Sequence, residues 1–340
     1  MGYGARPLKV LVTGGGGFLG GALCARLIGD GHEVRSFSRG DYPALGALGV
    51  DHRRGALDDP DAVSTAVADC DAVLHAAALP GIWGSRDRYF RTNVLGTQHV
   101  LDACAAHGVR RLVFTSSPSV VHGRDNLEGV DESHPYPDLH LAHYPATKAE
   151  AERRVMAANG PELATVSLRP HLIWGPGDNH LLPRLASRAR AGRLKILGHA
   201  PNKVDTVYID NAVDAHLAAL ERLEPGCAIG GKTYFISQDE PVAQADFMNR
   251  MLTAVGVQPV TERVPAGVAY AVGATLELFY GLFNIEREPM MTRFLAVQLS
   301  TAHWYDISAA KRDLQYTPRV SIDEGMARIR AAYEAGDLDF

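Results

Sequence analysis

Basic residues are in no excess here: 34 Lys and Arg stand against 39 Asp and Glu over 340 residues, a formal net charge of −5. Scattered cations and a slight acidic balance leave nothing to neutralise a phosphate backbone, so nucleic acid is excluded as the expected partner. Cysteine is scarce too. Cys24, Cys70, Cys104 and Cys227 stand singly, without a CxxC pair or metal-ligand spacing, which excludes a disulfide framework and suits a reducing cytoplasm. The residues ahead of Lys9 are too few and too polar for a secretory signal, and Met1-Gly2 lacks the Ser or Thr that N-myristoylation wants, since Arg6 stands there. Internal repeats and low-complexity linkers are missing as well. What is present, 46% hydrophobic and 21% charged residues, is the composition of a folded protein able to bury a large core.

Leu8–Thr13 is a short β-branched run ending in glycines, as a central parallel strand would. Phe18–Asp30 then carries Leu19, Ala22, Leu23, Leu27 and Ile28 on one helical face, with Gly31 as its stop. Further strands are predicted near Glu33–Ser38, Asp51–Arg54, Ala72–His75, Arg111–Thr115 and Thr165–Arg169, with helical segments between them. Alternating β and α predicts an α/β fold, a Rossmann-type doubly wound parallel sheet covered on both faces. After Arg169-Pro170 the rhythm breaks at Trp174-Gly175-Pro176-Gly177-Asp178. The expected division is therefore a dinucleotide-binding domain over 1–170 and a smaller, mostly helical substrate lobe over 171–340. Short strands at Lys203–Tyr208 and Lys232–Ser237 return segments of about 203–240 to the first domain.

Thr13-Gly14-Gly15-Gly16-Gly17-Phe18-Leu19-Gly20 places glycines 14, 17 and 20 between a strand and a helix. In that context glycine serves a tight turn, a close approach to pyrophosphate and helix-on-strand packing, while the helix N-terminus supplies N–H groups to the phosphates. An NAD site usually shows an acidic residue at the end of the second strand; here Ser36-Phe37-Ser38-Arg39 stands instead. A guanidinium beside a hydroxyl suits a 2′-phosphate, so NADPH/NADP+ is the expected cofactor, with a merely solvated Arg39 as the alternative. Asp58 follows the third strand, where it could accept from an adenine amino group or cap the next helix. His75-Ala76-Ala77-Ala78 follows the fourth, and its small side chains would let backbone lie near the cofactor ribose. The candidate cradle is Gly14, Gly17, Phe18, Leu19, Gly20, Ser38, Arg39, Leu57, Asp58, Ala76 and Pro170, together with Tyr144 and Lys148.

Ketone reduction needs a proton donor and a group to stabilise the developing oxyanion. Tyr144 and Lys148 lie four apart, so on a helix they share a face and the ammonium favours phenolate. At the end of the fifth strand, Thr115-Ser116-Ser117-Pro118-Ser119 offers a hydroxyl to the same oxygen; Ser116 and Ser119 compete with Ser117 for that role.

Together these motifs resemble the extended short-chain dehydrogenase/reductase superfamily, as do Arg169-Pro170 and Tyr208-Ile209-Asp210-Asn211. Pro80-Gly81-Ile82-Trp83-Gly84-Ser85, Asn202-Lys203-Val204-Asp205-Thr206 and His303-Trp304-Tyr305 resemble its 3β-hydroxysteroid dehydrogenase branch, and most of all its bacterial 2-alkyl-3-oxoalkanoate reductases of long-chain olefin biosynthesis. The resemblance implies that Ser117 is the oxyanion partner, Tyr144 the general acid/base, and Lys148 its activator and a ligand of the nicotinamide ribose. It makes Asn93, in Thr92-Asn93-Val94, the asparagine that shapes the site. It also implies NADPH-dependent reduction of a long-chain 2-alkyl-3-keto acid to the 2-alkyl-3-hydroxy acid, in a homo-oligomer working beside other olefin-biosynthesis enzymes. An NAD-dependent sterol dehydrogenase and a sugar-nucleotide epimerase are the alternatives that share the triad.

Three features could mislead. Val264–Phe283 is almost uncharged, but Pro265, Gly267, Gly273 and Gly281 interrupt it, so a membrane span is not expected. Its stripe of Val268, Val272, Leu276, Phe279, Tyr280 and Phe283 should pack on the core or line an acyl pocket. His134, His140 and His143 crowd the stretch before Tyr144 without an acidic or thiolate partner, and no metal is expected. Trp83 and Trp174 would wall an apolar pocket or pack between lobes, and His122, His143 or Arg184 would meet a substrate carboxylate.

Overall fold

Val10 and Val12 enter one hydrophobic cluster and Leu11, between them, enters another. Both faces of the strand they occupy are therefore buried, as alternation of side chains on a doubly covered sheet requires. The computed structural model describes residues 7–199 and 201–338, so Met1, Gly2 and Arg6 lie outside the described residues. Seven strands form the main sheet: β1 (Lys9–Thr13), β2 (Glu33–Ser38), β3 (Asp51–Arg54), β4 (Ala72–His75), β5 (Arg111–Thr115), β6 (Ala164–Pro170) and β7 (Lys232–Ile236). All pair in parallel, in the order β7-β6-β5-β4-β1-β2-β3. The chain reverses direction across the sheet between β1 and β4, and ligands of open α/β sheets lie at the carboxyl ends of the strands at such a point.

Helix α1 (Phe18–Gly29) follows the glycine turn, α2 (Gly96–His107) packs beside the sheet, and α3 (His143–Ala157) carries Tyr144 and Lys148. The second lobe is built on α4 (Leu181–Arg190), α6 (Gln244–Ala254), α7 (Ala266–Leu282), α8 (Arg293–Gln298) and α9 (Ile322–Glu334), while α5 (Ile209–Arg222) packs on α1 and the main sheet. Trp174 is fully buried there, edge-on to Tyr208 and Phe247, with Nε1 donating to Thr206 Oγ1 at 3.0 Å. Its amphipathic ring is thus spent on packing.

Lys203–Tyr208 is two short strands, Lys203–Val204 and Val207–Tyr208, which pair outside the main sheet. β7 does join the sheet, at its edge, and Ile307, Ala310, Leu314 and Tyr316 also pack on the main core.

Helix α7 departs from the expected stripe. Val268, Val272, Phe279 and Phe283 are exposed, while Ala269 and Gly273 are buried. The small face wins because α8 approaches too closely for a side chain: a Cβ on Gly273 would come within 2.6 Å of the Thr292 carbonyl carbon. Among the described residues no helix is long and apolar enough to cross a membrane.

Candidate active site

Gly14 sits with φ +76°, donates its N–H to Phe37 O at 2.8 Å, and packs so tightly on β4's exit that a Cβ would lie 3.0 Å from Ala77 Cα. A methyl on Gly20 would overlap the Gly14 carbonyl. Only glycine permits this turn, which opens the N-terminus of α1 toward a cleft of about 500 Å³. The residues present fit a dinucleotide: bare backbone for a pyrophosphate at one end, and an unbranched Ala76-Ala77-Ala78 wall beside it.

The cleft is lined by Gly14, Gly17, Phe18, Leu19, Gly20, Ser38, Arg39, Leu57, Ala76, Ser117, Tyr144 and Pro170. Of the sequence-predicted residues, Asp58, Asn93 and Lys148 are not in its wall. Asp58 is exposed, and it is Asp59 whose Oδ1 caps helix Pro60–Val67 by accepting from Ala62 N at 3.1 Å. A larger depression of about 900 Å³ between α6 and α9 contains none of these residues.

At the cleft's inner end Tyr144 and Ser117 share one wall, and the serine favours the ionised phenol, although burial outweighs this and raises the pKa of Tyr144 above its ordinary value. Ser117 Oγ also meets Ser119 Oγ at 2.9 Å and accepts from Ser119 N at 3.2 Å. Ser116 also borders the cleft, but its Oγ is buried and without a hydrogen-bond partner among the described residues. Lys148 lies below the cleft floor. Its Nζ donates to Thr115 O at 2.6 Å and sits 3.9 Å from the centroid of the Phe114 ring. Burial lowers its pKa to about 7, with nearby Glu152 acting in the opposite sense. The shared-face contact with Tyr144 that its spacing suggested is replaced by these contacts with Thr115 and Phe114.

Asn93 lies in a π-helical turn, Phe90–Leu95, a form of helix frequent at functional sites. Its Oδ1 accepts from Leu79 N at 2.7 Å, and its Nδ2 donates to Leu79 O at 3.2 Å and to Thr147 Oγ1 at 3.1 Å. It thereby joins the exit of β4 to the helix carrying Tyr144. The thread continues toward the glycine turn. Thr97 Oγ1 donates to Asn93 O at 2.7 Å and so receives the N–H of His75 Nε2 at 3.0 Å, which leaves His75 Nδ1 to accept from Thr13 Oγ1 at 2.7 Å. Burial pushes the His75 imidazole down to about 3, keeping it neutral in this role.

Sequence reasoning missed Leu172, which borders both the cleft and an adjoining apolar groove and sits with φ +45°, an unusual conformation for a leucine. Nothing local in the chain signals it. Thr97 was legible in principle, four residues after Asn93 on the same helical face. Of the three cations offered to a carboxylate, His122 is buried against Gln298 and Thr301, Arg184 pairs with Glu288 at 2.6 Å, and His143 is exposed beside Tyr144. His140 Nε2 meets Val120 O at 2.9 Å.

A glycine turn at the switch point of a parallel sheet, with a tyrosine and a serine at the cleft's inner end and a lysine buried beneath it, defines an NAD(P)-dependent oxidoreductase of the short-chain dehydrogenase/reductase type, acting on a CH–OH/ketone pair. The chain belongs to the 3-beta hydroxysteroid dehydrogenase/isomerase family, whose profile matches residues 11–265. It is 52% identical to a 2-alkyl-3-oxoalkanoate reductase of Stenotrophomonas maltophilia over 330 residues, spanning 96% of this chain and 100% of that one. Identity to a 2-alkyl-3-oxoalkanoate reductase of Shewanella oneidensis is 49% over 336 residues, 96% of this chain and 87% of the relative. Among solved structures, MoeE5 in complex with UDP-glucose and NAD is similar at a TM-score of 0.75 and 25% identity, covering 97% of this chain and 100% of that one.

The expectation of NADPH is corrected by this comparison, because MoeE5 holds NAD both with UDP-glucose and with UDP-glucuronic acid. The signal in Ser38-Arg39 has another explanation in the fold. Ser38 Oγ accepts from Gly16 N at 3.2 Å, bracing the glycine turn, and Arg39 is exposed at the rim of the cleft.

Proposed function

We propose that this chain reduces a 2-alkyl-3-oxoalkanoate to the corresponding 2-alkyl-3-hydroxyalkanoate at the expense of NADH. The observation that carries the chemistry is that Tyr144 and Ser117 line one wall of the glycine-turn cleft; near-full-length similarity to two reductases of that name supports the substrate class.

The glycine turn, Ala76 and Pro170 hold the dinucleotide, which when bound supplies the hydride for the ketone carbon. Ser117 Oγ and the Tyr144 hydroxyl together receive the ketone oxygen, and the tyrosine proton passes to that oxygen as its charge develops. The buried Lys148 ammonium stabilises the phenolate left behind, while Thr115 O and the Phe114 face fix its place. Asn93 sets the distance between the β4 exit and Tyr144, as a positioning residue.

The test is NADH oxidation followed with a synthetic 2-alkyl-3-keto acid. Tyr144→Phe is expected to lower kcat by at least about 10²-fold with NADH affinity little changed; turnover at the wild-type rate would remove Tyr144 from its assigned role.

A further inference from the structure

The substrate class just proposed carries two alkyl chains on neighbouring carbons, C2 and C3, so they diverge within one bond of the carbonyl held by Tyr144. A single tunnel cannot accept both. One groove adjoins the catalytic cleft, a second lies against the chain just ahead of Tyr144, and Ile82 is the one residue common to the walls of the two grooves. The first, about 330 Å³, shares Leu172, His180 and Leu181 with the cleft and continues past Leu185 and Phe247. The second, about 500 Å³, is walled by Ala142 and His143, the two residues that precede Tyr144, and runs between Trp83 and the face of α7 that carries Ala274 and Leu278.

The second groove is a built feature. Trp83 Nε1 donates to Ile285 O at 2.9 Å, and its indole stands edge-on to Tyr280 at 6.0 Å, so the loop carrying Ile82 is pinned to the end of α7. The one ion pair in its wall is internally satisfied: Arg293 Nε meets Glu277 Oε2 at 2.6 Å and Arg293 N donates to Glu277 Oε1 at 2.7 Å. Its outer end opens onto the bare apolar surface of α7, where Leu278 is 75% and Leu282 73% exposed. A groove that starts beside the catalytic tyrosine and ends on uncovered leucines matches an alkyl chain longer than the groove.

We propose that Ile82 parts the substrate's two alkyl chains, one entering each groove, with the end of the second chain lying on the exposed face of α7. The proposal rests on the functional reading above.

The experiment compares Leu185→Trp, which fills the first groove, with Ala274→Trp, which fills the second. Four keto acids are used, bearing decyl or methyl at each of C2 and C3, and the readout is the ratio of kcat/KM between long and short chain at each carbon. Each variant should depress that ratio on the order of tenfold or more at one carbon only, and the two variants should select different carbons. Selection of the same carbon by both, unchanged ratios, or a uniform loss across all four acids would each overturn the assignment. If a tryptophan variant fails to fold, Leu185→Phe and Ala274→Leu carry the same comparison. Should the wild-type chain reduce none of the four acids with NADH, the functional reading fails and the assignment goes with it; reduction by wild type without selectivity in the variants defeats the grooves alone.

Discussion

At Gly20 there is no room for one carbon atom. Gly20→Ala pushes the Gly14 carbonyl out of the turn, an overpacking cost of about 1–3 kcal/mol, and NADH binding measured by fluorescence titration should weaken roughly tenfold or more. The serines behind the cleft make a sharper comparison. Ser117→Ala removes a hydroxyl from the cleft wall that Tyr144 shares and should lower kcat by about 10²-fold, whereas Ser116→Ala removes one that is buried and should leave kcat near wild type. Equal losses in steady-state assays would mean that the wrong serine has been assigned. Sequence could not separate them, because consecutive residues leaving a strand point in directions that only the following 3₁₀ turn, Pro118–Val120, decides.

At the scale of elements, α3 and β6 are clamped by charge. Glu152, on α3, is fully buried and accepts from Arg169 Nη2 at 2.6 Å, from Tyr136 OH at 2.6 Å and from Ser167 Oγ at 2.9 Å. Glu152→Ala leaves a guanidinium buried without its partner and should cost about 3–5 kcal/mol, read as a lower urea midpoint at unchanged slope. Elements of this kind were legible where pattern and burial coincide. Val10–Val12 in β1 and the Phe18–Gly29 helix stand where β-branching, glycine stops and periodicity predicted them. Elements whose burial is set by a distant partner were not. The choice of α7's small face depends on how closely Thr292 and Arg293 approach, and Lys203–Tyr208 breaks in two because its halves find partners in different sheets. The glycine turn and the Tyr144 helix were readable as positions; the downward turn of Lys148 onto Thr115 and the engagement of Ser38 with Gly16 were not, since both are contacts between residues 22 to 33 apart.

Across the whole molecule, buried histidines tie stability to pH. Burial holds His75 down to about 3, and His122 and His216 down to about 4, against an ordinary value of 6.5. The unfolded chain takes up these protons below about 6.5 while the folded chain refuses them until pH 3 to 4, so their contribution is complete above 6.5 and is lost as pH falls toward 4. The unfolding temperature should therefore drop steadily over that interval by calorimetry; a flat profile would show these rings to be hydrated. His75 has a second consequence. It is the second link of a hydrogen-bonded thread running from Thr13 through His75, Thr97 and Asn93 to Thr147, from the glycine turn to the helix carrying Tyr144. Parts strung on one thread open together or not at all. The backbone amides of Ala77 and Leu79, held by Thr13 and Asn93 respectively, should exchange with deuterium as a single unit with the first turn of α3, and filling the nucleotide cleft should slow all of them by a common factor.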